Sequence, residues 1–184
     1  MATYSDDFNR PDSTNIGNWT EIDDNWSIIS QQLAPGVATL GLVIYQSPLD
    51  TTDHYAEITL SVASATSMGV FARSDVSGNN FYLLRNNGSE WTLFSNIGGA
   101  FSSIGSYSAP AVDGDVVRVH CEGSTIKGFI NGVERISVTD TDITTGSYAG
   151  VRSEASSTAR YDNFLAADIT SGPTADTNAF FDFL

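Results

Sequence analysis

The chain is short of cysteine, of positive charge and of long apolar runs, and each shortage removes a class of protein. Among its 184 residues Cys121 is the single cysteine, so no disulfide can form within it. A chain of this length buries about 70% of its unfolded surface and needs no covalent staple. Eight Lys and Arg stand against 22 Asp and Glu, a formal net charge of −14. Nothing in that balance can neutralise a phosphate backbone, which excludes nucleic acid as a partner. No apolar stretch reaches membrane-spanning length, so no membrane insertion is expected. The start, Met1-Ala-Thr-Tyr-Ser-Asp, has neither a basic nor an apolar leader region, so no signal peptide is read and synthesis in a cytoplasm is expected. His54 and His120 form no His-x-His or His-x-x-x-His spacing, and no serine elbow occurs. His54, in a turn beside Asp53, and His120, alternating with Arg118 and Glu122, read as surface or half-buried positions.

Sustained helical periodicity is missing too. In its place, short apolar runs recur between Gly, Asn and Asp clusters, as an all-β sandwich or barrel requires. The clearest part is residues 68–97. Runs at 69–73, 81–85 and 91–95 are separated by Ser77-Gly78-Asn79-Asn80 and Asn86-Asn87-Gly88-Ser89, whose residues tolerate left-handed backbone angles. The middle run, Phe81-Tyr82-Leu83-Leu84, is apolar on both faces, which predicts a strand covered on both sides. Further strands are expected at 4–9, 26–30, 37–46, 55–63 and 101–108, then at 115–122, 125–130, 133–138, 147–153 and 159–168. The hairpin after 125–130 turns on Asn131-Gly132. Residues 13–24 read as a loop. Cys121 shares a strand face with Val117 and Val119 and reads as a small buried hydrophobe.

Residues 1–169 therefore form one domain. Residues 170–184 differ in kind: a small polar linker with Gly172-Pro173, then Phe180, Phe181, Phe183 and Leu184 crowded at the end. Exposed aromatics are a liability on a free protein, so this segment either folds back on the sandwich or docks on another chain.

Several segments in order resemble the concanavalin A-like lectin/glucanase superfamily, and within it the laminin-G-like modules of bacterial and phage proteins. They are 6–12 (DDFNRPD), Trp19 and Trp26, 80–85 (NFYLLR), 123–126 (GSTI) with 131–133 (NGV), and 160–164 (RYDNF). The resemblance covers about residues 4–169. It implies an antiparallel β-sandwich, a jelly roll, whose first and last strands lie side by side, with a short C-terminal tail outside it. Glucanase members carry a Glu-x-Asp-x-Glu strand that sets their carboxylates on one face. Here the acids Glu57 and Glu134 have no second acid at the required step, so no catalytic residue is assigned.

Pairing of the end strands would bring Asp6 or Asp7 to Asp162, an oxygen cluster suited to a structural Ca²⁺; the alternative is pairing with Arg10 and Arg160. For a ligand, the candidates are aromatic and forked side chains at strand ends: Arg73, Tyr82, Arg85, Trp91 and Tyr107. They would serve sugar recognition on a concave face, although alternation does not say which face that is. Core packing is the competing reading for Tyr82 and Trp91. Two functions are expected from this. One is a phage virion component (head decoration, head fibre or tail-fibre protein), docked through the tail on other virion proteins or on its own copies and able to bind cell-surface glycan. The other is a free-standing lectin-like protein.

Overall fold

A computed structural model describes residues 1–36, 40–64, 66–154 and 158–170. The tail and its four anchors, Phe180, Phe181, Phe183 and Leu184, thus lie outside the described residues. So do residues 37–39 of the run expected at 37–46.

Fifteen strands are described, all antiparallel to their neighbours. In chain order they are β1 (Thr3–Asp6), β2 (Trp19–Asp23), β3 (Ser27–Ile29), β4 (Gln32–Ala34), β5 (Gly41–Tyr45), β6 (His54–Val62), β7 (Met68–Ser74) and β8 (Asn80–Asn86). There follow β9 (Trp91–Ile97), β10 (Ala100–Tyr107), β11 (Asp115–Glu122), β12 (Thr125–Ile130), β13 (Val133–Thr139), β14 (Tyr148–Ser153) and β15 (Arg160–Asp168). They make an all-β sandwich of two sheets. One runs β10-β9-β8-β7-β14-β5-β2. The other runs β13-β12-β11-β6-β15-β4-β3, with β1 also on β15.

First and last strands do lie side by side: Thr3 faces Ala167 and Asp6 faces Phe164. β15 has β6 along its other edge, so β1 and β4 share one edge, β4 meeting it at Tyr161. Residues 13–24, expected to be a loop, contain β2. It is held by a main-chain ladder to β5 from Trp19 to Asp23 and by burial of Trp19. A strand with so few apolar residues at the period of two leaves little trace in the sequence.

The two inner faces share one core. Ala56, Ile58 and Leu60 of β6 face Val117, Val119 and Cys121 of β11, and opposite them pack Tyr82, Leu84, Trp91 and Val151 of the other sheet. Cys121 is fully buried, and burial pushes its thiol up to about 12. It is the small hydrophobe expected of it. The double-sided apolar run of β8 is explained by a second cluster. Phe81 and Leu83 point away from the core, where they join Leu42, Ile44 and Phe71, with Ile22, Phe94 and Tyr148 against them.

Candidate functional site

Strand alternation sends every second side chain of the seven-stranded sheet outward. The ladders align these in rows. In one row Thr92 of β9 faces Arg85 of β8, which faces Gly69 of β7, which faces Arg152 of β14. Gly69 has to be glycine, because a Cβ there would sit 2.1 Å from the Leu84 carbonyl oxygen. The two arginines therefore flank a position with no side chain. The next row runs Phe94, Leu83, Phe71 and Gly150, and a floor of aromatic rings results.

The charged groups lie on that floor. The Arg85 guanidinium stacks 4.5 Å from the Phe94 ring centre, and that of Arg152 stacks 4.6 Å from the ring of Phe101. Phe101 belongs to β10, four strand steps from β14. Four steps of about 4.8 Å exceed what the two side chains can bridge on a flat sheet, so this outer face curls inward and is the concave one.

Glu154, just past β14, binds Arg152 Nη2 and sits 3.6 Å from Arg85 Nη1. Burial alone would raise the Glu154 carboxyl. Hydrogen bonds from Ser67 and Arg152 and the charges of both arginines hold it below its usual range. Burial lowers the Arg152 guanidinium, with Glu154 opposing. Arg152 is 4% exposed, yet its Nη1 has no partner, and neither has the buried Nε of Arg85. The Arg85 side chain, 21% exposed, is held among the described residues only by a ring and one loose ion pair. A forked donor left so unsatisfied at a surface is arranged to receive something.

The structure separates the other four ligand candidates from Arg85. Arg73 is 2% exposed and belongs to the end of the sandwich where loops cross. It donates to the carbonyls of Thr52 (2.9 Å), Gly123 (2.8 Å) and Ile143 (3.3 Å), and to Asp53 Oδ1 at 3.1 Å. Its own N–H donates to His54 Nε2 at 2.8 Å, and His54 Nδ1–H donates to the Thr51 carbonyl at 2.9 Å. His54 is fully buried, which corrects the surface reading. Beside this clamp a cavity of about 200 Å³ is lined by Asp53, Arg73, Ser124, Asp140 and Ile143 among others. Tyr82 is buried in the core, and its hydroxyl donates to Asp140 at 2.5 Å and accepts from the Ile143 N–H at 3.1 Å. Burial, then the Asp140 bond and charge, raises its phenol. Trp91 is wholly inside the core. Tyr107 is half-buried under the Arg135 guanidinium, 4.9 Å from its ring centre.

At the chain ends Asp6 goes to the ion pair that was the alternative to calcium. Arg10 takes both its oxygens at 2.7 and 3.1 Å, and Trp19 Nε1 and the Phe8 N–H donate at 2.9 and 2.8 Å. Burial would raise this carboxyl, but these bonds hold it low. Asp7 and Asp162 do come together, lining a groove of about 340 Å³ with Gln31, Gln32, Asn9 and Asn163. Burial, then the charges of Asp7 and Asp6, raises the Asp162 carboxyl. Among the described residues no three Asp, Glu, His or Cys converge to hold a metal ion. The expected trio does not fit a shared Ca²⁺, because the guanidinium of Arg10 already fills the place a cation would take at Asp6.

No family model matches the sequence, and no curated protein does. Solved structures match over nearly the whole described chain. The carbohydrate binding module CBM66 from Bacillus subtilis aligns with a TM-score of 0.67 at 17% identity, over 86% of this chain and 97% of that one. The exoplasmic/lumenal domain of VIP36, in its Ca²⁺/Man3GlcNAc-bound form, gives 0.64 at 12% over 86% of each chain. A prokaryotic β-1,3-1,4-glucanase (lichenase) from a mouse hindgut metagenome gives 0.61 at 11% over 92% and 100%. The fold is the concanavalin A-like jelly roll. Identities this low speak for that architecture, which sugar binders and a glucanase share, and the choice between them rests on the site. In this jelly roll the concave sheet holds Arg85, Arg152, Glu154, Phe94 and Phe101. Sequence reading found Arg85 alone among them. Arg152 sits in the strand expected at 147–153 and Glu154 just past it, and a charged pair two residues apart was the available signal.

Proposed function

We propose that the chain is a carbohydrate-binding, lectin-like module that holds sugar on the concave face of its seven-stranded sheet. The observation that carries this is the Arg85 guanidinium, whose side chain is 21% exposed, stacked on Phe94 and, among the described residues, ion-paired only with Glu154. Sugars offer hydroxyls in the plane of a fork and C–H faces for a ring, and the Arg85 fork together with the Phe101 ring, 37% exposed and packed on Phe94, offers both. The sugar-binding proteins among the similar structures support the reading.

Binding without turnover fits the charges better than hydrolysis does. A glycosidase acid needs a raised pKa, and Glu154 is held low. The virion reading draws no support from these neighbours, and the tail that motivated it lies outside the described residues. A structural Ca²⁺ has no further support here than its presence in the VIP36 structure.

A glycan array on the full chain is expected to show binding, and Arg85→Ala is expected to weaken the best hit about tenfold or more, as the loss of a charge-assisted bond does. Its urea midpoint should stay near that of the unaltered chain, since among the described residues the Arg85 side chain makes no hydrogen bond to lose. A blank array, or hits indifferent to Arg85→Ala, would reject the site.

A further inference from the structure

The concave face carries an imbalance the rest of the molecule does not. Two guanidiniums meet there, and Glu154 is the one carboxylate paired with either. The next acid along the row, Glu90, accepts from Thr92 Oγ1 at 3.4 Å. Within ion-pair reach of the two forks, two positive charges thus meet one carboxylate, on a chain of net charge −14. Arg152 sharpens the point. Keeping a guanidinium 4% exposed is costly unless its donors are used, and its Nη1 is unused. The Phe101 ring covers it, and β10 reaches that ring through Gly98-Gly99, both at positive φ with nothing near enough to crowd a Cβ. The same ring packs edge-on against Phe81 and Phe94, at 6.0 and 5.9 Å between ring centres.

Resting on the proposed sugar-binding function, we infer that the saccharide taken here is anionic, its carboxylate or sulfate oxygens seated between Arg85 and Arg152 over Gly69. Gly69 places no side chain between them in the row, and both forks reach the Glu154 carboxylate. Glu154 holds both forks in place while the site is empty and competes with the ligand for them. A neutral sugar would leave one cationic charge and at least one buried donor unanswered.

The test is calorimetric titration of the full chain with oligogalacturonate, oligoalginate and dextran sulfate. The methyl ester of the first and plain dextran serve as uncharged counterparts. Expected is binding to an anionic glycan at least about tenfold tighter than to its neutral counterpart, weakening as salt rises. Arg85→Ala and Arg152→Met should abolish the difference, and Lys127→Ala, on the other sheet and paired with Glu134 at 2.9 Å, should not. Glu154→Gln keeps an oxygen for Arg152 but removes the competing charge, and should tighten the anion about threefold to tenfold. That gain guards against loss-of-fold in the other variants. Whether the uronates or dextran sulfate respond tells carboxylate from sulfate. Equal binding of ester and acid, or array hits confined to neutral glycans, overturns the inference and leaves the sugar-binding function standing. No binding to any glycan removes both.

Discussion

Replacing Arg73 with methionine is expected to destabilise the jelly roll by about 3 kcal/mol. Methionine keeps the length of the side chain and loses every donor. The Ile143 carbonyl would then be buried without this donor, the more open carbonyls of Thr52 and Gly123 would lose theirs, and Asp53 would lose its cation. A partnerless buried carbonyl costs about 1–3 kcal/mol and each of the other lost bonds about 0.5–1.5 kcal/mol, and methionine offsets part of this by ending the burial of a charge. The Asp53 side chain is 35% exposed, so its share is screened and the lower end of the range applies. Urea titration should read the loss directly, and the melting temperature should fall by about 6–12 °C for a chain of this size. A change under about 1 kcal/mol would mean that the loops do not depend on the clamp. The same variant separates structure from recognition. Well below its melting point, Arg73→Met should bind glycan as the unaltered chain does, whereas Arg85→Ala should stay stable and lose binding.

That contrast explains what could be read from the sequence. Both arginines interrupt apolar strands, and both were flagged for the same reason. What distinguishes them is backbone geometry: Arg73 has φ 52, and the register of β7 and β14 shifts beside it. Strict alternation would have sent Arg73 outward beside Phe71, onto the concave face with Arg85. The irregularity turns it into the loop end, where carbonyls from three distant segments meet it. A period-of-two reading contains no term for such a shift. The fold suffered less, because a sandwich is specified by many redundant alternations: the meander of β7 to β10, the Asn131-Gly132 hairpin, and the pairing of β1 with β15. A site depends on a few side chains from strands far apart in sequence. Phe101 and Arg152 meet across four strands, and no local pattern announces that.

His54 shows the opposite case, a signal present and passed over. Ala56, Ile58 and Leu60 alternate along one face of the strand expected at 55–63, and one further step back along it reaches His54, which is buried with them. The turn residues beside it, Thr52 and Asp53, hid the continuation.

This burial makes the stability of the molecule depend on pH in a definite window. Burial first, and the nearby charge of Arg73 with it, lowers the His54 imidazole to about 4, against the hydrogen bond to Thr51 and the charge of Asp168. In the unfolded chain the same group titrates near 6.5. Between those values the unfolded state binds a proton that the folded state refuses, so stability falls as pH falls. The contribution is complete above about pH 6.5 and nearly gone at about 4. It amounts to about 3 kcal/mol at 1.36 kcal/mol per unit. His120, lowered chiefly by its partial burial, adds in the same direction. The carboxylates held low, Asp6, Asp75, Asp168 and Glu154, keep their stabilisation through this window and lose it only below about pH 4. Urea titrations from pH 7 to pH 4.5 should therefore show a decline that His54→Gln largely removes, because the amide meets Arg73 and Thr51 without titrating. The histidine proton resonance of the unaltered chain, followed by NMR, should give a midpoint near 4 and stands whether or not the variant folds. A midpoint near 6.5, or a flat stability profile, would mean that the imidazole reaches water. Since His54 receives the Arg73 N–H on β7, acid should open the strand that also carries Gly69 and Phe71, and glycan binding should fade over the same pH range as the fold.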